Sequence, residues 1–497
     1  MDVKIMTARD AVDLIPSQCT LLTEGFVGAC FAEELAMALE QRFLETKLPR
    51  NLTLVYAAGQ GDAGDRGLNH LGHAGLLRRV IGGHWNLVPK IQALAMAEEI
   101  EAYNLPQGVI THLTRDIAAG KPGTLTSVGL GTFVDPRQEG GRLNRRTKKD
   151  IVEVLETGGR EFLFYHPFSV DVALLRGTYG DELGNVSMEK EGLTASMLAA
   201  AQAAKNSGGL VLVQVEKIVA ANSLAPRSVQ IPGILVDVLV PVAVKENHMQ
   251  TYRTGYNPAF SGEIRAPLQS LPQLAPGVRR IIAQRALKEL TPGAVVNLGI
   301  GMPEGIAALA NEAGRNDFTL TVEAGPIGGI PQGGLDFGCA VNPQAIIDMA
   351  SQFDFYQGGG LDIAFLGMAQ VDRDGNVNVS KFSGKIPGCG GFIDISQNAR
   401  KVVFCGSFTA NGLEAKTTAK GVNIIREGSI RKFVPRVEQI TFNGKLAAER
   451  GQDVLYITER AVFRLTKAGL KLEEVYPGID HKRDILAQLP PGTFLTG

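Results

Sequence analysis

The feature that most restricts this chain is that its second half repeats its first. Asp171-Val-Ala-Leu-Leu-Arg-Gly-Thr-Tyr-Gly-Asp-Glu-Leu-Gly-Asn185 lies without a gap over Asp362-Ile-Ala-Phe-Leu-Gly-Met-Ala-Gln-Val-Asp-Arg-Asp-Gly-Asn376, and the two continue as Val186-Ser187 and Val377-Asn378. Likewise Leu52-Thr-Leu-Val-Tyr-Ala-Ala-Gly59 lies over Phe318-Thr-Leu-Thr-Val-Glu-Ala-Gly325. The pattern inside each copy is strand, glycine turn, helix, strand, which builds a parallel sheet. In the first copy the strands are expected at 19–22 and 51–57, around a helix over 31–43, with further helices over 91–100 and 109–119. In the second copy an amphipathic helix over 278–290 is followed by a strand at 294–298. The turn Gly299-Ile-Gly301-Met-Pro-Glu-Gly305 then leads to a helix over 306–313 and a strand over 318–322. At 497 residues the chain exceeds the usual single-domain size. The expected architecture is α/β: two similar tandem α/β domains with largely parallel sheets, over 1–240 and 277–497. The polar, Pro-rich stretch 241–276 joins them as a linker or arm.

Within the repeat one position stands out. Residues 318–322 form a β-branched and apolar run that ends in a lone carboxylate, Glu323, followed by Ala324-Gly325-Pro326-Ile327-Gly328-Gly329. Ligands of open α/β sheets collect at the carboxyl ends of the strands, and glycines there let a ligand or another backbone come close. A turn acid capping the next helix is the structural alternative. The first copy carries Ala57 at the equivalent position, and a purely structural acid would be needed in both copies. The comparison favours a functional Glu323.

Composition removes several classes of function. The net charge of −1 gives no electrostatic pull toward nucleic acid or an anionic membrane. No apolar run approaches the ~18 residues of a membrane span, and the N-terminus, MDVKIMTARDAVDLI, reads as the start of an amphipathic helix with no signal-peptide pattern. The five cysteines (Cys19, Cys30, Cys339, Cys389, Cys405) are scattered without CxxC spacing, as expected of reduced thiols in a cytoplasmic protein. His70, His73 and His84 follow Asp62 and Asp65, yet no third ligand is defined at metal spacing, so no metal is expected.

A single glutamate without a Ser-His pair or a second carboxylate at glycosidase spacing suggests a carboxylate nucleophile or base. Gly358-Gly359-Gly360 and Gly388-Cys389-Gly390-Gly391 read as glycine turns after strands, whose backbone N–H groups can face a developing oxyanion. Tyr103-Asn104-Leu105-Pro106-Gln107-Gly108 presents a glutamine amide at the head of a helix. Two other readings follow from the same residues. Gly299-Ile-Gly301 after a strand, with Glu323 ~20 residues on, is compatible with an NAD-dependent oxidoreductase, although the spacing is GxGxxxG and Pro303 sits in the first helical turn. The other is a non-catalytic acyl-CoA-binding protein.

Taken together, TVEAGPIGG around Glu323, GGGLD at 358–362, GCGGFID at 388–394 and Pro106-Gln107-Gly108 make the chain similar to the class I coenzyme A transferases. The likeness is to the bacterial single-chain enzymes acting on propionate, acetate or acetoacetate, and it extends from the opening strand to Pro477-Gly478-Ile479-Asp480. The resemblance implies an active site between two fused α/β domains. Glu323 would attack an acyl-CoA to give an acyl-glutamyl anhydride and then a glutamyl-CoA thioester, with ping-pong kinetics. Gln107 matches the side-chain oxyanion donor and Gly391 the backbone donor, with the adjacent Gly390 as the alternative. Gly359, Gly360, Gly367 and Gly390 would line the CoA or substrate site. It further implies coenzyme A as substrate with no permanently bound cofactor, partners limited to acyl-CoA and short carboxylic acids, a homo-oligomer (dimer or tetramer), and a place in short-chain fatty acid or ketone-body metabolism. After the glutamate, Ala324-Gly325-Pro326 stands where the ketoacid-type enzymes resemble Asn-Gly, which leaves the acyl preference open.

Overall fold

A computed structural model describes residues 3–267 and 273–490. Met1 and Asp2 of the expected N-terminal helix, residues 268–272 of the expected arm, and 491–497 lie outside the described residues. The first sheet runs Lys4–Ile5, Val238–Pro241, Leu210–Val219, Val172–Asp181, Thr20–Thr23, Leu52–Tyr56, Leu77–Gly82, Glu101–Asn104. All of these neighbours are parallel. In the second sheet the order is Ala345–Ile346, Pro326–Ile327, Thr319–Thr321, Val295–Leu298, Ile363–Gly367, Lys401–Cys405, Asp453–Ile457, Ala461–Thr466, Gly469–Val475. Its five middle strands are parallel and its margins antiparallel. Leu52–Tyr56 is buried at every position, as a strand covered on both faces must be.

The repeat read from the sequence reappears as geometry. Each sheet has a five-strand core in one order, with Thr20–Thr23 and Val295–Leu298 at equivalent places. Asp171 Oδ2 accepts from the Thr20 N–H at 2.7 Å, and Asp362 Oδ2 from the Val295 N–H at 2.9 Å. Farther along, Asp181 and Asp372 each close a turn by accepting from the backbone N–H of Asn185 (2.9 Å) and Asn376 (3.1 Å).

Helices cover both faces of each sheet. Glu33–Thr46 and Pro89–Met96 bury Leu35, Leu39, Ile91 and Leu94 on the outer face of the first sheet. Val278–Ala286 and Glu304–Glu312 do the same for the second with Ile281, Ile282, Ile306 and Leu309. The inner helices Gln107–Ala118 and Met197–Asn206 of the first unit share one apolar cluster with Met349–Gln357 and Phe392–Asn398 of the second. Arg115 clamps Asp354 with two bonds of 2.7 and 2.9 Å, and the His112 Nε2–H donates to the Ala350 carbonyl at 3.1 Å, so the inner helices are strapped across the boundary.

Two expectations need correction. Lys4–Ile5 is an edge strand paired with Val238 and Leu239, and the helix begins only at Ala8, where Thr7 Oγ1 accepts from the Asp10 N–H. The helix expected over 91–100 spans Pro89–Met96, and Glu101–Asn104 beyond it is a strand. The joining segment is packed rather than free. Tyr252 OH donates to buried Glu33 at 2.8 Å, Thr254 Oγ1 donates to Asp336 at 2.9 Å, and the Asn342 N–H donates to the Ala259 carbonyl at 2.9 Å. Among the described residues no helix is long and apolar enough to cross a membrane.

Candidate active site

Glu323 occupies the turn between the parallel strand Thr319–Thr321 and the antiparallel strand Pro326–Ile327. The Val322 N–H donates to the Pro326 carbonyl (2.9 Å) and the Gly325 N–H to the Val322 carbonyl (3.0 Å). Gly325 has φ +125°, and a Cβ there would lie 2.0 Å from the Ile347 carbonyl oxygen, so only glycine closes this turn. No helix follows directly, which removes the capping alternative. Glu323 Oε2 is sealed from solvent with no hydrogen-bond partner. Burial pushes the carboxyl above its ordinary range, while its own backbone N–H and the Asn297 side chain partly offset the shift. Asn297 lies in the neighbouring strand, donates to Tyr356 OH at 3.3 Å, and leaves its Oδ1 without a partner.

Gln107 enters from the other unit. It opens the helix Gln107–Ala118 directly after Pro106, and its Nε2 donates to the Met349 thioether at 3.3 Å. The loop 387–391 of the second unit seats itself in the first. The Trp85 N–H donates to the Pro387 carbonyl (2.7 Å), the Cys389 N–H to Asn104 Oδ1 (2.9 Å), and the Gly390 N–H to the Gly83 carbonyl (2.7 Å). The Gly390 donor is therefore consumed, whereas among the described residues the N–H of Gly391 makes no hydrogen bond. Gly391 stands at the head of the helix Phe392–Asn398.

Glu323, Gln107 and Gly391 border one cavity of about 210 Å³ whose walls are largely apolar, with Phe26, Phe337 and Phe392 among them. Gly367 and Gly390 also line this cavity. Gly359 and Gly360 do not. They follow the helix Met349–Gln357 and precede the strand Ile363–Gly367, at the amino edge of the sheet, while the cavity lies at the carboxyl edge. Gly360 closes that helix, with its N–H on the Phe355 carbonyl at 2.9 Å, so 358–360 is a helix end and not a turn after a strand.

The structure adds His84 and Asn297 to the lining. His84 Nδ1 is sealed without a partner, and burial lowers the imidazole to about 4, leaving a neutral ring at ordinary pH. The sequence grouped His84 with His70 and His73. Those two lie elsewhere, His70 between Glu33 and Glu40 (3.1 and 2.5 Å) and His73 on Glu40 at 2.6 Å. For Asn297 the signal was an amide inside the otherwise apolar strand Val295–Leu298.

The dinucleotide alternative does not fit the geometry. The Gly301 N–H, which would have to face a pyrophosphate, donates to Glu304 Oε1 at 3.0 Å, so a carboxylate already occupies that place. What the cavity offers is a desolvated carboxylate, a side-chain amide and an unbonded backbone N–H among apolar walls, the set needed for acyl transfer through a tetrahedral oxyanion.

Comparison with known proteins points the same way. The profile of the family described as coenzyme A transferase matches residues 5–241 and 280–483. The chain is 45% identical over 490 residues to the acetate CoA-transferase YdiF of Escherichia coli, covering 98% of this chain and 92% of that protein. It is 46% identical over 492 residues to the caffeate CoA-transferase of Acetobacterium woodii, covering 98% and 94%. A crystal structure of the Escherichia coli acyl-CoA transferase YdiF as apoenzyme superposes with a TM-score of 0.94 at 44% identity, covering 100% of this chain and 94% of that one. A second structure of YdiF, a thioester complex with CoA, gives 0.92 at 43% identity, with 100% and 95% coverage.

Proposed function

This chain belongs to the coenzyme A transferase family, and from that premise we propose that it exchanges coenzyme A between a short-chain acyl-CoA and a free carboxylic acid, with Glu323 as the covalent carrier. The observation that carries the proposal is that Glu323, with its Oε2 unpartnered, borders the same largely apolar cavity as Gln107 and Gly391, whose N–H makes no hydrogen bond among the described residues.

In the first step the Glu323 carboxylate adds to the thioester carbonyl. The carbonyl oxygen becomes an oxyanion, and the C–S bond then breaks to give an acyl-glutamyl anhydride and CoA thiolate. The thiolate adds to the glutamyl carbonyl carbon of the anhydride, that carbon's bond to the bridging oxygen breaks, and the first acid leaves with the bridging oxygen as its carboxylate. Glu323 now carries CoA as a thioester. The second acid reverses both steps and leaves as its acyl-CoA. No proton is gained or lost overall, so the sequence of steps needs no general acid or base.

The protein supplies three things to this sequence. Burial strips water from Glu323 and makes the carboxylate more basic and more reactive than a solvated one. Gln107 Nε2 leaves a weak thioether acceptor to meet the developing oxyanion, and the Gly391 N–H meets it from the other unit. The aromatic walls hold the acyl group dry and so keep water from hydrolysing the anhydride. A cavity of about 210 Å³ with Phe26, Phe337 and Phe392 in its walls suits short acyl groups of the acetate, propionate and acetoacetate class. Relatives named for acetate and caffeate bracket that range.

The test is intact-protein mass spectrometry after incubation with acetyl-CoA, followed by borohydride reduction and peptide mapping. A CoA adduct on the protein and reduction at Glu323 are expected. An adduct on another residue, or none under conditions of turnover, would refute the assignment.

A further inference from the structure

Glu323, Gln107 and Gly391 do not hold themselves in place, and the start of the Gln107 helix is the weak point. The first N–H groups of any helix lack intrahelical acceptors. Here Pro106 occupies the N-cap and provides no side-chain cap. The missing acceptors come from the other unit: the Gln107 N–H donates to the Gly390 carbonyl at 2.9 Å, and the Gly108 N–H donates to Asp394 Oδ2 at 3.1 Å. Asp394 lies in the first turn of the helix that Gly391 heads.

We propose that Asp394 is a positioning residue that fixes the Gln107 amide and the Gly391 N–H, donors from different halves of the chain, in one rigid frame. The inference rests on the oxyanion roles proposed above for those two residues. Asp394 is completely buried, and its second oxygen accepts from Gln357 Nε2 at 2.9 Å, which sets the rotamer that points Oδ2 at Gly108. Gly108 is the residue that permits the approach. A Cβ there would stand 2.5 Å from Asp394 Oδ1 and 2.5 Å from Cδ1 of Phe353.

A buried carboxylate held by a side-chain amide and backbone N–H groups is an expensive way to tie two helices together, since desolvating it is repaid by hydrogen bonds without a cation. Burial raises Asp394 to about 7, with the nearby Glu323 charge as a small contribution in the same direction. An apolar contact would join the helices at less cost. What the carboxylate adds is direction: a hydrogen bond from the residue beside Gln107 to a side chain one turn from Gly391. Catalytic donors tolerate little error, because a misplacement of ~1 Å costs ~10²-fold in rate.

The experiment is a kinetic comparison of Asp394→Ala and Asp394→Asn with the native chain, with melting temperatures measured alongside. The alanine variant is expected to lose about 10- to 100-fold in kcat, with the KM for acetyl-CoA and for the acid within about 2-fold of native. The asparagine variant should recover most of that loss, because its amide oxygen accepts from Gly108 while the Gln357 amide turns over to pair with its NH2. Native kcat in the alanine variant, or an asparagine variant as impaired as alanine, would overturn the proposal. If Asp394→Ala does not fold, Gly108→Ala decides: it displaces the helix start from the carboxylate, so a loss confined to kcat supports the role and native kcat overturns it. Glu323→Ala run beside them keeps the two readings separate. Turnover surviving in it would sink the nucleophile, whereas an inactive Glu323→Ala beside a fully active Asp394→Ala would sink only the positioning role.

Discussion

Truncating Gln107 to alanine separates what its amide does in the resting enzyme from what it does as the oxyanion forms. At rest Nε2 donates to the sulfur of Met349 at 3.3 Å, and a thioether is a weak acceptor. An ordinary protein hydrogen bond contributes about 1 kcal/mol net, and this one less, so the ground state and the fold lose little. An oxyanion-hole donor contributes about 2.7–4 kcal/mol, or 10²–10³ in kcat. Most of that difference is realised only in the transition state. Gln107→Ala is therefore expected to lower kcat by about 10²–10³, with both KM values close to native. Steady-state kinetics with acyl-CoA and acid varied independently gives the split, and rapid-quench mass analysis of the glutamyl-CoA adduct locates it in the acyl-transfer steps. Gln107→Glu should be slower still, because it places a second carboxylate in the cavity of Glu323. A kcat within about 3-fold of native for the alanine variant, or a loss appearing in KM instead, would mean that the amide does not meet the oxyanion.

Glu323→Ala should abolish transfer by several orders of magnitude and show no CoA adduct by mass spectrometry; residual turnover above a small fraction in pure protein contradicts covalent catalysis. Because only the ionised carboxylate attacks, and burial raises Glu323 above the usual 4.5, kcat/KM for acyl-CoA should fall on acidification with a midpoint above that value; a midpoint at or below it would contradict the dry environment. Glu24 is 1% exposed, accepts one bond from the Ser196 N–H (3.2 Å), and is raised to about 8. The folded chain thus keeps a proton that the unfolded chain has lost, and stability from this group falls as pH rises from about 4.5 to about 8 and then levels. Glu24→Gln should flatten that slope, at most ~1.4 kcal/mol per pH unit, in urea titrations at pH 5 and 8.5; an unchanged slope refutes it. Fragments cut within 241–276 should be inactive singly, since Gln107 and Glu323 fall on different pieces. Mixing them should restore turnover as they associate, and activity in the C-terminal piece alone would refute a shared site.

Much of this was legible in the residues because duplication provides its own control. Ala57 opposite Glu323 argued that the acid was not structural, and the equivalent aspartates 171 and 362 turn out to make the same bond to the neighbouring strand. Where reading failed, it failed for physical reasons. Glycines at 358–360 end an element in either secondary structure, and the run before them, MASQFDFYQ, is helical without a strong apolar period. The strand Glu101–Asn104 lies at the sheet edge and opens with a charge paired to Arg79. Gly390 and Gly391 are alike as letters, and only the carbonyl of Gly83, distant in sequence, decides which N–H is left over. Asp394 sat inside a quoted motif without a role, because the group it serves belongs to the other unit.

The seating of residues 387–394 in the first unit also bears on inheritance. Duplication normally frees two copies to diverge, but here the copies exchange backbone bonds where the chemistry is proposed to occur, so a change on one side is tested against the other. Added bulk at this seam has nowhere to go: a Cβ on Gly83 would lie 2.1 Å from the Ala57 carbonyl oxygen, and one on Gly388 2.9 Å from Cδ1 of Trp85. A chimera joined at 242–267, with its halves drawn from two relatives, would inherit two sound folds and one untested seam. Its turnover would then follow the fit of Gly83, Asn104 and Gly108 to the incoming loop more closely than the overall identity of the parents.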